Sequence, residues 1–253
     1  ISCIYPQIPA IQPYHNNAVW PFVQSYWALA SAKAGNEKSV LESIAAVYRP
    51  AALFLTNKEN FVVDNGDFAG TQINSSNMLW SLSGSLSLVH KVLFGIDFQS
   101  DSLLFHPFVP KALAGKRSLT NFKYRNAVLN IGLEGFGNQI KSFDLDGKST
   151  VHAAIPCTLT GTHSIKIVLA SNELTGSRIN KVSNYTTLET PAANYAEGKL
   201  SWNPIVGARL YTILKNGKVF QQTEESSLKV TVAVFDEYQV MAKDANNVSS
   251  FAS

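Results

Sequence analysis

A chain of 253 residues with 45% hydrophobic and only 15% charged side chains exceeds the usual single core and is too apolar to stay unfolded, so two or three packed cores are expected. Its formal charge of +3 arises from 21 basic and 18 acidic residues scattered without any Lys/Arg run, which argues against nucleic acid and leaves room for uncharged ligands such as sugars. Cys3 and Cys157 show no CxxC or His/Cys grouping, so neither a disulfide framework nor a metal site is expected, and no cofactor motif is present.

The first residues, Ile1-Ser2-Cys3-Ile4-Tyr5-Pro6, lack an initiator Met and a charged leader, and read as the start of a processed or excised piece. No apolar stretch is long enough to span a bilayer. From Ala18 to Ala34, Val19, Phe22, Val23, Tyr26, Trp27 and Ala30 recur at helical spacing and predict a helix closed by Gly35. A second helix is predicted from about Glu37, with Val40, Leu41, Ile44, Val47, Tyr48, Ala51 and Leu55 as its buried stripe and Pro50 as a kink or break. A third follows an Asn74-Ser75 cap, with Leu79, Leu82, Leu86, Val89 and Leu93 in register and Gly95 as its stop. The polar segment from Thr56 to Asn74 lies between the second and third helices, and a structureless connection of that length points to function.

After Gly95 the period becomes alternating, as in Ala127-Val128-Leu129-Asn130-Ile131 and Ser164-Ile165-Lys166-Ile167-Val168-Leu169, which predicts short strands in a β-sandwich. Periodicity fades from Thr175 to Pro191. A last set of strands then surrounds Asn216-Gly217, a strong two-residue hairpin turn.

Leu200-Ser201-Trp202-Asn203-Pro204, Gly207 to Ile213 and Tyr238 to Asp244 resemble the strands of a fibronectin type III domain. At the other end, Tyr14-His15-Asn16-Asn17-Ala18-Val19-Trp20-Pro21-Phe22 is similar to a Tyr-His-Asn-Gly-x-Val-Trp-Pro segment of six-hairpin glycosidases of the glycogen-debranching and rhamnosidase-like kind, with Asn17 where Gly is common. Asn74 to Ser81, with its Trp80-Ser81 pair, and Phe105-His106-Pro107-Phe108-Val109-Pro110 resemble later segments of the same enzymes. The resemblance implies a multidomain α + β chain. Residues 1–97 would be the closing helices of an (α/α)6 toroid whose remainder lies upstream or on another chain, 98–175 an antiparallel β-sandwich cap, and 187–253 the fibronectin type III-like domain. It further implies a glycoside hydrolase, a carbohydrate substrate and an extracytoplasmic location.

Hydrolysis of a glycosidic bond needs two carboxyl groups, one protonating the leaving oxygen and the other activating water or attacking carbon. The resemblance places the general acid upstream and leaves Glu59, Asp64 and Asp67, all in the polar segment, as candidates for the second. Glu59 has the longer reach and the partly desolvating neighbours Asn60 and Phe61. His15, Asn17 and Trp20, beside a helix start, offer imidazole, amide and indole to a sugar, and Trp80 offers a second ring. The plainer alternatives are that His15 satisfies a helix end, that Trp20 and Trp80 fill the core and that the loop acids are solvated. The other histidines lack ligand spacing. A non-catalytic carbohydrate-binding or scaffold protein remains the alternative reading.

Overall fold

The structure, a computed structural model, describes residues 4–176, 179–180 and 182–253; Cys3 lies outside them, while Cys157 is a half-buried free thiol. In the N-terminal third, a two-residue strand β1 (Ala18–Val19) leads into helix α1 (Pro21–Lys33), followed by α2 (Glu37–Phe54), β2 (Phe61–Val62) and α3 (Leu79–Ser87), which continues as a π-helical turn over Leu88–Leu93. Pro21 opens α1, where its missing N–H costs no helical bond and its φ is already set. Asn36 caps α2 by accepting the Ser39 N–H at 2.9 Å. β1 and β2 pair antiparallel, Ala18 opposite Val62 and Val19 opposite Phe61.

Three local expectations change. The helix predicted from Ala18 starts at Pro21, because Ala18 and Val19 are taken by the β2 ladder. Helix α2 runs through Pro50, losing its bond to the Ala46 carbonyl, and ends at Leu55 in the left-handed region (φ 54°). Asn74 does not cap α3: its amide binds the Asn60 carbonyl at 2.7 Å, and the helix begins after Met78.

Helices α1 and α3 also pack through faces other than the predicted stripes, whereas α2 buries Val40 and Val47 of its predicted stripe. The buried positions are Gln24, Ser25, Ala28 and Ser31 on α1, Ser39, Val40, Ser43 and Val47 on α2, and Ser81, Gly84 and Ser85 on α3. Their hydroxyls and amides are satisfied within the seam: Gln24 donates to Ser43 Oγ at 2.9 Å, Trp27 to Ser39 Oγ at 2.8 Å, and Ser43, Ser25 and Ser85 back to carbonyls of their own helices. Small side chains let the backbones approach closely, so Tyr26, Leu79, Leu82 and Leu86 are left facing outward.

The middle of the chain is strand. β3 (Ile96–Phe98), β4 (Ser102–Phe105), β5 (Gly115–Tyr124), β6 (Ala127–Gly135), β7 (Ile140–Leu145), β8 (Lys148–Ser149), β9 (Ala154–Pro156) and β10 (Gly161–Leu169) make a five-stranded sheet, ordered β5-β6-β10-β7-β8, and a three-stranded one, β3-β4-β9. Strand β6 alternates as the sequence requires, turning Ala127, Leu129, Ile131 and Leu133 inward onto Ile165, Ile167, Leu103, Phe105 and Ile155. β6 and β10 run parallel, Ile131 beside Ile165, so the sheet is mixed and not the purely antiparallel one expected. A parallel pair needs a long crossover, which the β7 to β9 segment supplies.

The last third holds β11 (Ala193–Ala196), β12 (Lys199–Trp202), β13 (Leu210–Lys215), β14 (Lys218–Thr223), β15 (Ser227–Lys229) and β16 (Tyr238–Lys243) in two three-stranded sheets, β11-β12-β15 and β14-β13-β16. Leu200, Trp202, Tyr211, Ile213, Val240 and Ala242 form their common core. Asn216 (φ 51°) and Gly217 (φ 73°) make the tight turn between β13 and β14.

The expected fold class is overturned. Among the described residues the chain is mostly β, with sixteen strands in several small sheets and three short α-helices, and it does not present the closing helices of an α/α toroid. The motif taken for a toroid segment, Tyr14 to Phe22, is instead largely an irregular stretch tied into the β1–β2 ladder, and only Pro21 and Phe22 enter a helix.

Candidate functional site

Side-chain bonds shape the segment before α1. Buried Asn16 accepts the Ile8 N–H at 2.7 Å and donates to the Ile8 carbonyl at 2.9 Å, closing a loop, while the Trp20 indole donates to the Tyr14 carbonyl at 2.9 Å. The chain therefore doubles back and brings three rings together: Tyr14 stacks on His15 at 4.6 Å between centroids, and Trp20 meets Tyr14 edge-on at 4.9 Å and His15 at 5.3 Å. From α3, Trp80 joins at 5.9 Å from Trp20 and 5.3 Å from Phe22. Trp20 is buried beneath, whereas His15 and Trp80 are exposed.

Glu59 comes up against this ring wall. Its N–H donates to the Ser75 carbonyl at 3.0 Å, and the neighbouring Asn57 and Lys58 carbonyls accept from Met78 N–H at 2.9 Å and Ser81 Oγ at 2.9 Å. The segment carrying the carboxylate is thereby tied to the start of α3. Glu59 is only 4% exposed, and its Oε1 accepts the Tyr14 hydroxyl at 2.9 Å. That hydrogen bond, followed by burial and by the carboxylate's charge, raises the Tyr14 pKa, so the phenol keeps its proton.

The other two carboxylates have local duties. Asp64 accepts the Asn17 side-chain amide at 2.9 Å on the surface, and Asp67 accepts the Ala69 N–H at 3.0 Å in a turn. Asn17 takes the left-handed conformation (φ 52°), its N–H donates to Gln7 Oε1 at 2.5 Å, and its carbonyl accepts from Val63 N–H at 3.1 Å. It braces the loop and does not join the rings. The φ explains why this position suits Gly or Asn: both tolerate that region better than other residues. The structure thus gathers Glu59, His15, Trp20 and Trp80 in one place and sets Asn17, Asp64 and Asp67 beside it.

No protein-family model and no curated protein matches this chain. The glycosidase resemblance therefore stands on its short motifs alone.

Two residues escaped the sequence reading. Tyr14 lies inside the motif but gives no periodic signal, and its pairing with Glu59 spans 45 positions. Gln7, 2% exposed, braces Asn17 and also donates to Asn184 Oδ1 at 3.1 Å. Among the described residues no three His, Cys, Asp or Glu side chains gather to hold a metal ion, and no helix is long and apolar enough to cross a membrane.

Chemically, the arrangement offers the exposed Trp80 indole and the exposed His15 imidazole, backed by buried Trp20, with a carboxylate behind the Tyr14 phenol. Aromatic faces bind the C–H side of pyranose rings while polar edges take hydroxyls.

Proposed function

We propose that this chain acts in glycoside hydrolysis, with the exposed rings of His15 and Trp80, backed by buried Trp20, seating a sugar and Glu59 supplying one of the two carboxyl groups the reaction uses. The observation that carries this reading is the Tyr14–Glu59 hydrogen bond, which sets one carboxylate of the polar segment against the aromatic wall. In the proposal the Tyr14 hydroxyl orients the carboxylate and donates to it, and Glu59 acts on water or on the anomeric carbon once a sugar displaces solvent from the wall.

Non-catalytic carbohydrate binding is the second reading, favoured by the burial of Glu59 behind Tyr14. One set of measurements separates the two. Turnover of chromogenic glycosides and calorimetric binding of oligosaccharides are compared for the wild type, Glu59→Gln and Trp80→Ala. Hydrolysis predicts that Glu59→Gln loses about 10²–10⁴-fold in rate while binding persists, and that Trp80→Ala weakens binding about tenfold or more. Binding without turnover in the wild type selects the second reading. A wild-type chain that neither binds nor cleaves any glycan overturns both.

A further inference from the structure

The packing of α1 against α3 leaves a groove that extends away from the sugar site and shares only Trp80 and its neighbour Phe22 with it. Phe22, Tyr26, Leu29 and Lys33 recur at three- and four-residue spacing along the outward side of α1. Facing them are Trp80 and Leu86 of α3, and Phe98 of β3 closes the end. The cleft between has a volume of about 390 Å³ and runs on, through Tyr26, Leu29, Lys91 and Phe98, into a depression of about 840 Å³. Tyr26 is 70% exposed, Phe98 56% and Leu86 49%. A contiguous apolar patch of that kind marks an interaction surface.

We propose that this groove docks an amphipathic helix of a partner protein, one carrying an apolar ridge bordered by acidic residues. Shape argues for a helix, because ridges at three- and four-residue spacing on α1 leave a furrow that fits the matching ridge of another helix. The α1–α3 seam already packs this way, with Gly84 against Ser25 and Phe22. Charge argues for the acidic border. Lys33 and Lys91 stand on the rim, and among the described residues neither is in an ion pair. The groove's one carboxylate, Asp97, already accepts the Gln99 amide at 2.9 Å. Opposite charge at the rim steers association and rejects a basic helix.

The inference does not rest on the sugar-site reading, although Trp80 borders both, and it is tested with the full chain. Fluorescence anisotropy follows three labelled, stapled helical peptides of equal length: a Leu ridge flanked by Glu, the same ridge flanked by Lys, and a scrambled Glu/Leu sequence. The Glu-flanked peptide is expected to bind saturably, at least about tenfold tighter than the Lys-flanked one, and more weakly as salt rises. Tyr26→Ser with Leu86→Ser removes that binding while leaving the circular dichroism spectrum and melting curve as in the wild type. Lys91→Glu narrows or reverses the preference between the two ridged peptides. Equal binding of the scrambled peptide, or binding indifferent to these substitutions, overturns the proposal. So does a dimer in sedimentation velocity that the Tyr26/Leu86 variant dissolves, because a second copy of the chain is then the occupant.

Discussion

His163 in β10 is held by both ring nitrogens, Nδ1 at 2.7 Å from Asp146 Oδ2 and Nε2 at 2.9 Å from the Thr160 carbonyl. Carboxylate and carbonyl oxygens can only accept, so both contacts are hydrogen bonds only when the ring is an imidazolium. Asp146 first and the Thr160 carbonyl second accordingly raise the His163 pKa above 6.5, while His163 and then the Ser164 N–H lower that of Asp146 below 3.8. A raised His pKa contributes stability that is complete below 6.5 and lost as pH climbs through the folded-state value; a lowered Asp pKa contributes stability complete above 3.8 and lost as pH falls. The pair therefore stabilises the fold most between those two values. An NMR titration of the His163 ring should show its midpoint above 6.5 in the wild type and lower in Asp146→Asn. At the same scale, local chemistry explains Asn17, since the left-handed region costs Gly and Asn less than other residues. The meeting of Tyr14 with Glu59 was not legible, because no local rule relates side chains so far apart in sequence.

Among the elements, the α1–α3 crossing depends on Gly84. A Cβ there would lie 2.6 Å from Ser25 Oγ and 3.2 Å from the Phe22 Cα, so one methyl group must displace the Ser25 hydroxyl and press on the α1 backbone. Gly84→Ala gains about 1 kcal/mol of helix propensity against an overpacking cost of about 1–3 kcal/mol. A net loss of up to about 2 kcal/mol is expected in urea denaturation, the reverse of what an exposed helical glycine would show. The same crossing explains why the sequence stripes misled. Apolar residues at helical spacing correctly announced helices at Phe22 to Ala30 and Leu79 to Leu86, but the buried side of each is its serine and glycine side. Hydrophobic periodicity identifies an amphipathic helix and its apolar face; it does not say whether that face meets the chain's own core or something else. Strands suffered less, because alternation in β6 leaves a single choice of inward face.

For the whole molecule, Gln7 has the widest reach. Its N–H donates to the Tyr185 carbonyl at 2.7 Å and its carbonyl accepts from the Thr187 N–H at 2.8 Å, joining the site-bearing segment to the chain just before the C-terminal sheets. Its side chain adds the bonds to Asn17 N–H and Asn184. Gln7→Ala removes both side-chain bonds and leaves the Asn17 N–H without its partner, at a cost of about 1–3 kcal/mol. Faster amide hydrogen exchange over residues 182–188, with the β5-to-β10 sheet still protected, would show that the loss loosens this junction and not the cores.

From the sequence alone came the secondary-structure types of the longer segments, the Asn216-Gly217 hairpin, and the gathering of polar and aromatic residues around Trp20 and Glu59 as the place to look for a site. These depend on rotamers, φ values and periodicity within a few residues, which neighbours in the chain settle. Only the tertiary structure decided that β6 lies parallel to β10, that α1 and α3 bury serines while Leu79, Leu82 and Leu86 of α3 stay exposed, that the chain is mostly β and not the end of a helical toroid, and that Glu59 alone of three carboxylates meets the rings. Each of those is a choice among long-range pairings of similar local merit, and the balance is struck by how closely backbones can approach and which buried polar groups find partners.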